Sequence, residues 1–147
     1  MKKILLAATL LVALTSAAFA DGKNSNAKLL NDLKTAFKGS NQSAWQTTES
    51  YKKASFNFNG TSVRAYFDVE TEDLIGFGIS VNVNDLPQGT MENISKKYQG
   101  WEVSEAIMFI DAAGRSTYYA QVDKNGHSLA LKVSDKGKVS IYAKMPN

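Results

Sequence analysis

Cysteine is absent from the 147 residues and histidine occurs once, as His127. The first absence removes every disulfide, every thiol nucleophile, every thiolate metal site and the cysteine to which a lipoprotein anchor is attached. The second means that the usual histidine-rich metal sets cannot be built, so no metal or cofactor is expected. The excess of basic over acidic side chains is also small. The chain carries 17 basic and 14 acidic side chains, and removing Lys2 and Lys3 with a leader leaves 15 against 14. A near-neutral domain gives no general electrostatic case for nucleic acid. Nor is there a long apolar run: Ile4 to Leu14 is too short to span a bilayer.

That short run has a different logic. Lys2 and Lys3 precede it, and Ala18-Phe19-Ala20 follows as a small-x-small site before Asp21. Positive region, apolar stretch and cleavage site in this order read as a secretory signal over residues 1–20. The mature chain is expected to start at Asp21, to lack a stable membrane anchor, and to be periplasmic or secreted. Its 127 residues (147 less 20) suit one domain, 21–147, able to bury a core without staples.

After a polar leader from Asp21 to Asn26, apolar residues recur at Leu29, Leu30, Leu33, Ala36 and Phe37, one face of a helix that Gly39 stops. Trp45 then falls in a polar linker. Phe56 and Phe58 alternate with polar residues up to Asn59-Gly60, a pair suited to the positive backbone angles of a tight hairpin, and Val63, Ala65, Phe67 and Val69 continue the alternation. A further strand places Ile75, Phe77, Ile79, Val81 and Val83 on one face, with Gly76, Gly78 and Ser80 leaving open backbone on the other. Leu86-Pro87 opens a second helix with proline in its first turn, carrying Met91, Ile94 and Tyr98 to a stop at Gly100. Strands follow over about 103–110, 117–123, 127–134 and 138–144.

The second half thus repeats the first. Setting Gly60 on Gly126 brings Val63 onto Leu129 and Phe67 onto Val133, with apolar positions in step. The expected fold is α+β: two tandem helix-plus-meander units, about 27–84 and 85–147, forming an antiparallel sheet with helices packed on one face. This plan, together with Leu86-Pro87, Tyr98-Gln99-Gly100-Trp101, Val103-Ser104-Glu105-Ala106 and the turns at Asn59-Gly60 and Asn125-Gly126, resembles the PepSY-like family related to β-lactamase inhibitor proteins. The resemblance covers essentially all of the mature chain. It implies a sheet whose helix-free face is available to a protein or peptide. Members that inhibit β-lactamases carry stabilising disulfides, which this chain lacks.

Catalytic chemistry has little to stand on. His127 follows a hairpin turn and has no nucleophile motif near it, so a surface histidine entering a strand explains it. The carboxylates of Asp68 to Asp73 could offer oxygens to calcium, but they lack the glycine and distant glutamate of an EF-hand loop, and a solvated turn accounts for them. Glu102 and Glu105 show no cleft between them. Trp45 and Trp101 each follow a helix, where they can cover a helix-to-sheet junction or clamp a ligand.

Parity along the strands gives the candidate site. If the apolar positions face the helices, Arg64, Tyr66, Tyr119, Lys132, Tyr142 and Lys144 face away. Tyrosine and arginine combine contact area with a polar end, as recognition needs. Ordinary cross-strand pairing on a wet face would use the same residues. The reading is a secreted, noncatalytic module that binds a protein or extended peptide through the sheet face or a sheet edge, as an inhibitor or envelope regulator; a small hydrophobic or carbohydrate ligand is the alternative, and a small enzyme the third.

Overall fold

The alternating segments become an eight-stranded antiparallel sheet in which neighbours in space are neighbours in sequence. The computed structural model describes residues 23–40 and 43–145, with side chains over 26–40 and 45–145. The signal-peptide assignment lies outside the described residues. Helix α1 (Lys23–Gly39) precedes strands β1 (Ser43–Thr47), β2 (Tyr51–Phe58), β3 (Thr61–Asp68) and β4 (Leu74–Val81). A short 3-10 turn (Val83–Asp85) and helix α2 (Thr90–Lys97) lead into β5 (Glu102–Asp111), β6 (Ser116–Lys124), β7 (His127–Val133) and β8 (Val139–Met145). The fold is α+β. Two compact units divide the chain: one runs to Ser80 and includes Phe109–Ser116, while the other takes Val81–Met108 and the residues from Thr117 on.

In the first unit, α1 begins at Lys23, inside the stretch read as a polar leader. Leu29, Leu30 and Leu33 are buried. Each such side chain contributes about 1.5–3 kcal/mol by leaving water. Phe37 at the end of the stripe meets Phe56 at 5.5 Å and Phe67 at 5.3 Å between ring centres, which seats the helix on the face that also buries Ala54, Val63, Ala65, Phe77 and Ile79. The β2–β3 turn has the expected form, with Asn59 and Gly60 at φ 51° and 82°, and the Gly60 amide donates to the Asn57 carboxamide oxygen at 2.9 Å.

Three expectations fail in this unit. Trp45 lies in an edge strand, β1, and not in a linker; the strand is short and pairs on one side only, so its sequence needs no apolar alternation. Ile75 is 38% exposed, because the β3–β4 register skips it between the Tyr66–Gly76 and Phe67–Leu74 pairs. One extra residue in a strand breaks the two-residue period for everything before it. Gly76 and Gly78 are buried, so the face read as open backbone is covered.

In the second unit, α2 starts at Thr90, after Gly89 in the left-handed region at φ 89°. Pro87 stands outside the helix, and its carbonyl accepts the Thr90 amide at 3.1 Å. The register of the helical face moves accordingly: Thr90 and Ile94 are buried while Met91, expected inward, is exposed. Val83, read as the inward end of a strand, belongs to the 3-10 turn. Polar ties hold this short helix to the β7–β8 turn, since the Asn93 amide donates to the Gly137 carbonyl at 2.8 Å and the Lys97 ammonium to the Val139 carbonyl at 3.2 Å. A side chain at Gly137 would meet the Gln88 carbonyl oxygen at 2.3 Å. Ala106, Met108, Tyr118, Ala120, Val122, Leu129, Leu131, Val133 and Val139 form the core here, and the β6–β7 turn repeats the first with Asn125 and Gly126 at φ 51° and 79°.

Candidate protein-binding face

Cross-strand partners share a face of an antiparallel sheet, so the register places each candidate. In the first unit Arg64 pairs with Ser55 and Gly78, and Tyr66 with Lys53 and Gly76, all opposite to the face that holds α1. Tyr66 sits edge-on between two rings, Tyr51 at 5.3 Å and Phe109 at 5.8 Å. Phe109 owes its place to Gly76: a β-carbon there would fall 2.6 Å from the Phe109 ring and 2.4 Å from the Ile110 carbonyl oxygen. An aromatic ring covering a strand glycine restores the packing that glycine forgoes. Tyr51 and Phe109 were not among the sequence candidates. The pairing of Tyr66 with a glycine was the available signal.

In the second unit Tyr119 pairs with Lys132, and Lys132 with Ser140, opposite the buried Leu131 and Val133. Tyr142 is 65% exposed and packs edge-on to Tyr119 at 5.0 Å. Burial pushes the Tyr119 phenol up, helped by the Tyr142 phenol beside it. Tyr142 owes its position to a register shift: Leu131 pairs with Ile141 but Ala130 pairs with Ala143, leaving Tyr142 as the extra residue. The same shift overturns one parity assignment: Lys144, expected beside Tyr142, lies opposite Leu129 and therefore on the other face. Ile141 pairs with Leu131 and keeps its expected face, but on the edge strand it is 52% exposed and not part of the core. Lys144 thus leaves the set; Tyr119, Lys132 and Tyr142 share one surface of this unit.

Both tyrosine groups are held by ring contacts within their own unit. T-shaped pairs are worth about 0.5–1.5 kcal/mol beyond their area and limit rotamer freedom, which lowers the ordering cost of binding. The neighbouring Asp123 is held below the usual carboxylate range, first by the Ser128 hydroxyl and then by Ser104 and Gln121.

The remaining candidates are placed as follows. His127 is exposed at the start of β7, next to the Asn125-Gly126 turn. Among the described residues no group of three or more His, Cys, Asp or Glu is placed to hold a metal. In the acidic turn, the Asp68 carboxylate accepts the amides of Glu70 at 2.8 Å and Thr71 at 2.9 Å, which hold it below its ordinary value, and Glu72 pairs with Lys52 at 2.9 Å. These oxygens serve the turn itself. Glu102 and Glu105, three apart on β5, point to opposite faces and cannot flank one bond. Trp45 covers the α1 junction, 6.3 Å from Phe37 and 6.2 Å from Phe67, yet remains 53% exposed. No helix among the described residues is long and apolar enough to cross a membrane.

Solved structures of similar shape come from Bacteroides. A DUF2874 family protein from Bacteroides uniformis matches 78% of this chain and 84% of its own, with 18% identity and a TM-score of 0.57. A putative periplasmic protein from Bacteroides eggerthii matches 78% and 83%, with 16% identity and a TM-score of 0.58. A BLIP-like protein from Bacteroides fragilis matches 80% and 84%, with 18% identity and a TM-score of 0.55. These likenesses establish a BLIP-like fold. No family model and no curated protein matches the chain.

Proposed function

We propose that the mature chain, from Asp21 on, is an exported, noncatalytic module that binds a protein or an extended peptide through the tyrosine-bearing faces of its units. The observation that carries the reading is the pre-ordered aromatic surface opposite the core: Tyr51, Tyr66 and Phe109 in one unit, Tyr119 and Tyr142 in the other. Buried Tyr and Arg anchors dominate binding energy at interfaces, and rings already locked by neighbours lose little entropy on contact. The PepSY-like character and the tandem plan of the two halves belong to the same proposal. So does a periplasmic location, supported by the leader-like residues 1–20 and by the likeness to the Bacteroides eggerthii protein. Inhibition or regulation of an envelope protein is the form of binding that the likeness to the BLIP-like protein favours.

Affinity capture of envelope proteins on the mature chain, repeated with a combined Tyr66→Ala and Tyr142→Ala variant, tests this reading. Selective loss of capture with unchanged thermal unfolding is expected. Undiminished capture by a folded variant would reject these faces.

A second reading rests on Trp45, whose half-exposed ring on an edge strand offers a platform for a sugar. Oligosaccharides that shift the fluorescence of the parent but not of a Trp45→Phe variant would favour it over protein binding.

A further inference from the structure

The second unit also carries a groove along the C-terminal half of β8 and the start of β7. It has a volume of about 550 Å³ and is bounded by Trp101, Leu129, Ile141 and Met145, with His127 and Lys144 along it. That volume lies within the roughly 300–1,000 Å³ typical of small-ligand sites. Ile141 presents exposed apolar surface there, and Met145, paired with Ser128, adds its own from the rim. Among the described residues no carboxylate lines the groove. Asp123, whose oxygens accept from Ser128 and Gln121, pairs with Ser128 and so lies on the opposite face from His127. An apolar floor with an ammonium and an imidazole, and no acid, complements a ligand with an aliphatic body and one negative end.

The groove runs beside the edge strand β8, so an added peptide strand is the obvious competitor as occupant. The edge is blunted against it. Lys97 already occupies the Val139 carbonyl, and the register shift at Tyr142 interrupts the ladder. Recognition therefore falls to side chains. We propose that this groove binds an aliphatic monocarboxylate, its chain lying between Trp101 and Ile141 and its carboxylate on Lys144. Ile141 and Lys144 pair with Leu131 and Leu129, so these contacts stand on the face opposite Tyr119 and Tyr142.

The test uses the mature chain with Trp45→Phe, which leaves Trp101 as its one tryptophan, titrated with decanoate below micelle formation. A saturable change in Trp101 emission is expected. A Lys144→Met variant, which keeps the apolar stem, should weaken decanoate about tenfold, the factor expected for one charge-assisted contact. An Ile141→Asp variant should abolish the change, and because Ile141 is exposed both variants should retain the parent circular dichroism. Decanol or decyltrimethylammonium binding as tightly as decanoate would overturn the proposal. So would a response that never saturates, one indifferent to Lys144→Met, or tighter binding of a short leucine-ended peptide, which would assign the groove to a chain terminus. None of these results bears on capture through Tyr66 and Tyr142.

Discussion

The two helices are held by different physics. Helix α1 buries three leucines and sets Phe37 against two strand phenylalanines, so its attachment is apolar and distributed. Helix α2 has eight residues and buries Thr90 and Ile94, and its further ties are hydrogen bonds from Asn93 and Lys97 to carbonyls of the adjoining turn and strand. Apolar burial tolerates small shifts of register, whereas amide-to-carbonyl contacts do not. The long helix is thus specified by composition and the short one by position; the sequence pattern located both and missed both starts, taking Lys23 to Asn26 for a leader and Leu86-Pro87 for the first turn of α2.

Breaking α1 should cost most. Leu33→Ala removes a fully buried side chain and is expected to destabilise by about 3 to 4 kcal/mol, through lost transfer energy and the cavity left behind. Chemical denaturation measures it. Gly76→Ala should come next, at about 2 kcal/mol, because the new methyl meets the Phe109 ring and the Ile110 carbonyl; Phe109→Ala introduced with it should recover part of the loss. In α2, Asn93→Ala is expected to cost about 1 kcal/mol, with faster amide exchange concentrated in residues 90–97. If Leu33→Ala proved no worse than Asn93→Ala, the contrast between the helices would be lost.

The smallest effects are those of pH. Hydrogen bonds hold Asp68 and Asp123 below their ordinary values. Asp111 is also lowered: burial raises it, but the amides of Arg115 and Ala113 and the Arg115 guanidinium together outweigh that. A depressed carboxylate lends stability above its unfolded value of about 3.9 and loses it as pH falls through the folded value. Acid unfolding should therefore begin below about pH 4, and Asp111→Asn should flatten that limb. At the other end, burial first, then the charges of Asp85 and Asp135, raise the Tyr118 phenol. Its contribution is complete below the unfolded value of about 10 and fades as pH rises through the folded one. Tyr118→Phe should remove that alkaline loss in thermal scans against pH.

What was legible in the sequence follows from the same contrast between pattern and position. Alternation and the two Asn-Gly pairs located β2, β3, β6 and β7 and placed Tyr66, Tyr119 and Lys132 correctly. Parity is a count, however, and a count fails at an inserted residue. The bulges at Ile75 and Tyr142 have no local sequence mark, and they moved Ile75 and Lys144 off their expected faces, while Ile141 kept its face but lies exposed on the edge strand β8. Strand β1 escaped notice because five residues on an edge need bury little. Phe109 required a longer inference, from a glycine opposite a tyrosine to a ring from the next strand.

The two hairpin turns also set different chemical lifetimes. An asparagine followed by glycine ages when the glycine amide nitrogen attacks the side-chain carbonyl, closing a succinimide that reopens largely as isoaspartate with an extra backbone atom. At the first turn that nitrogen is tethered, its hydrogen given to Asn57. The corresponding residue at the second turn is Asp123, whose Oδ1 accepts from the Ser128 hydroxyl and the Gln121 amide. Stored protein should accordingly deamidate first at Asn125, and the added atom there would disturb the register that sets Tyr119 against Lys132.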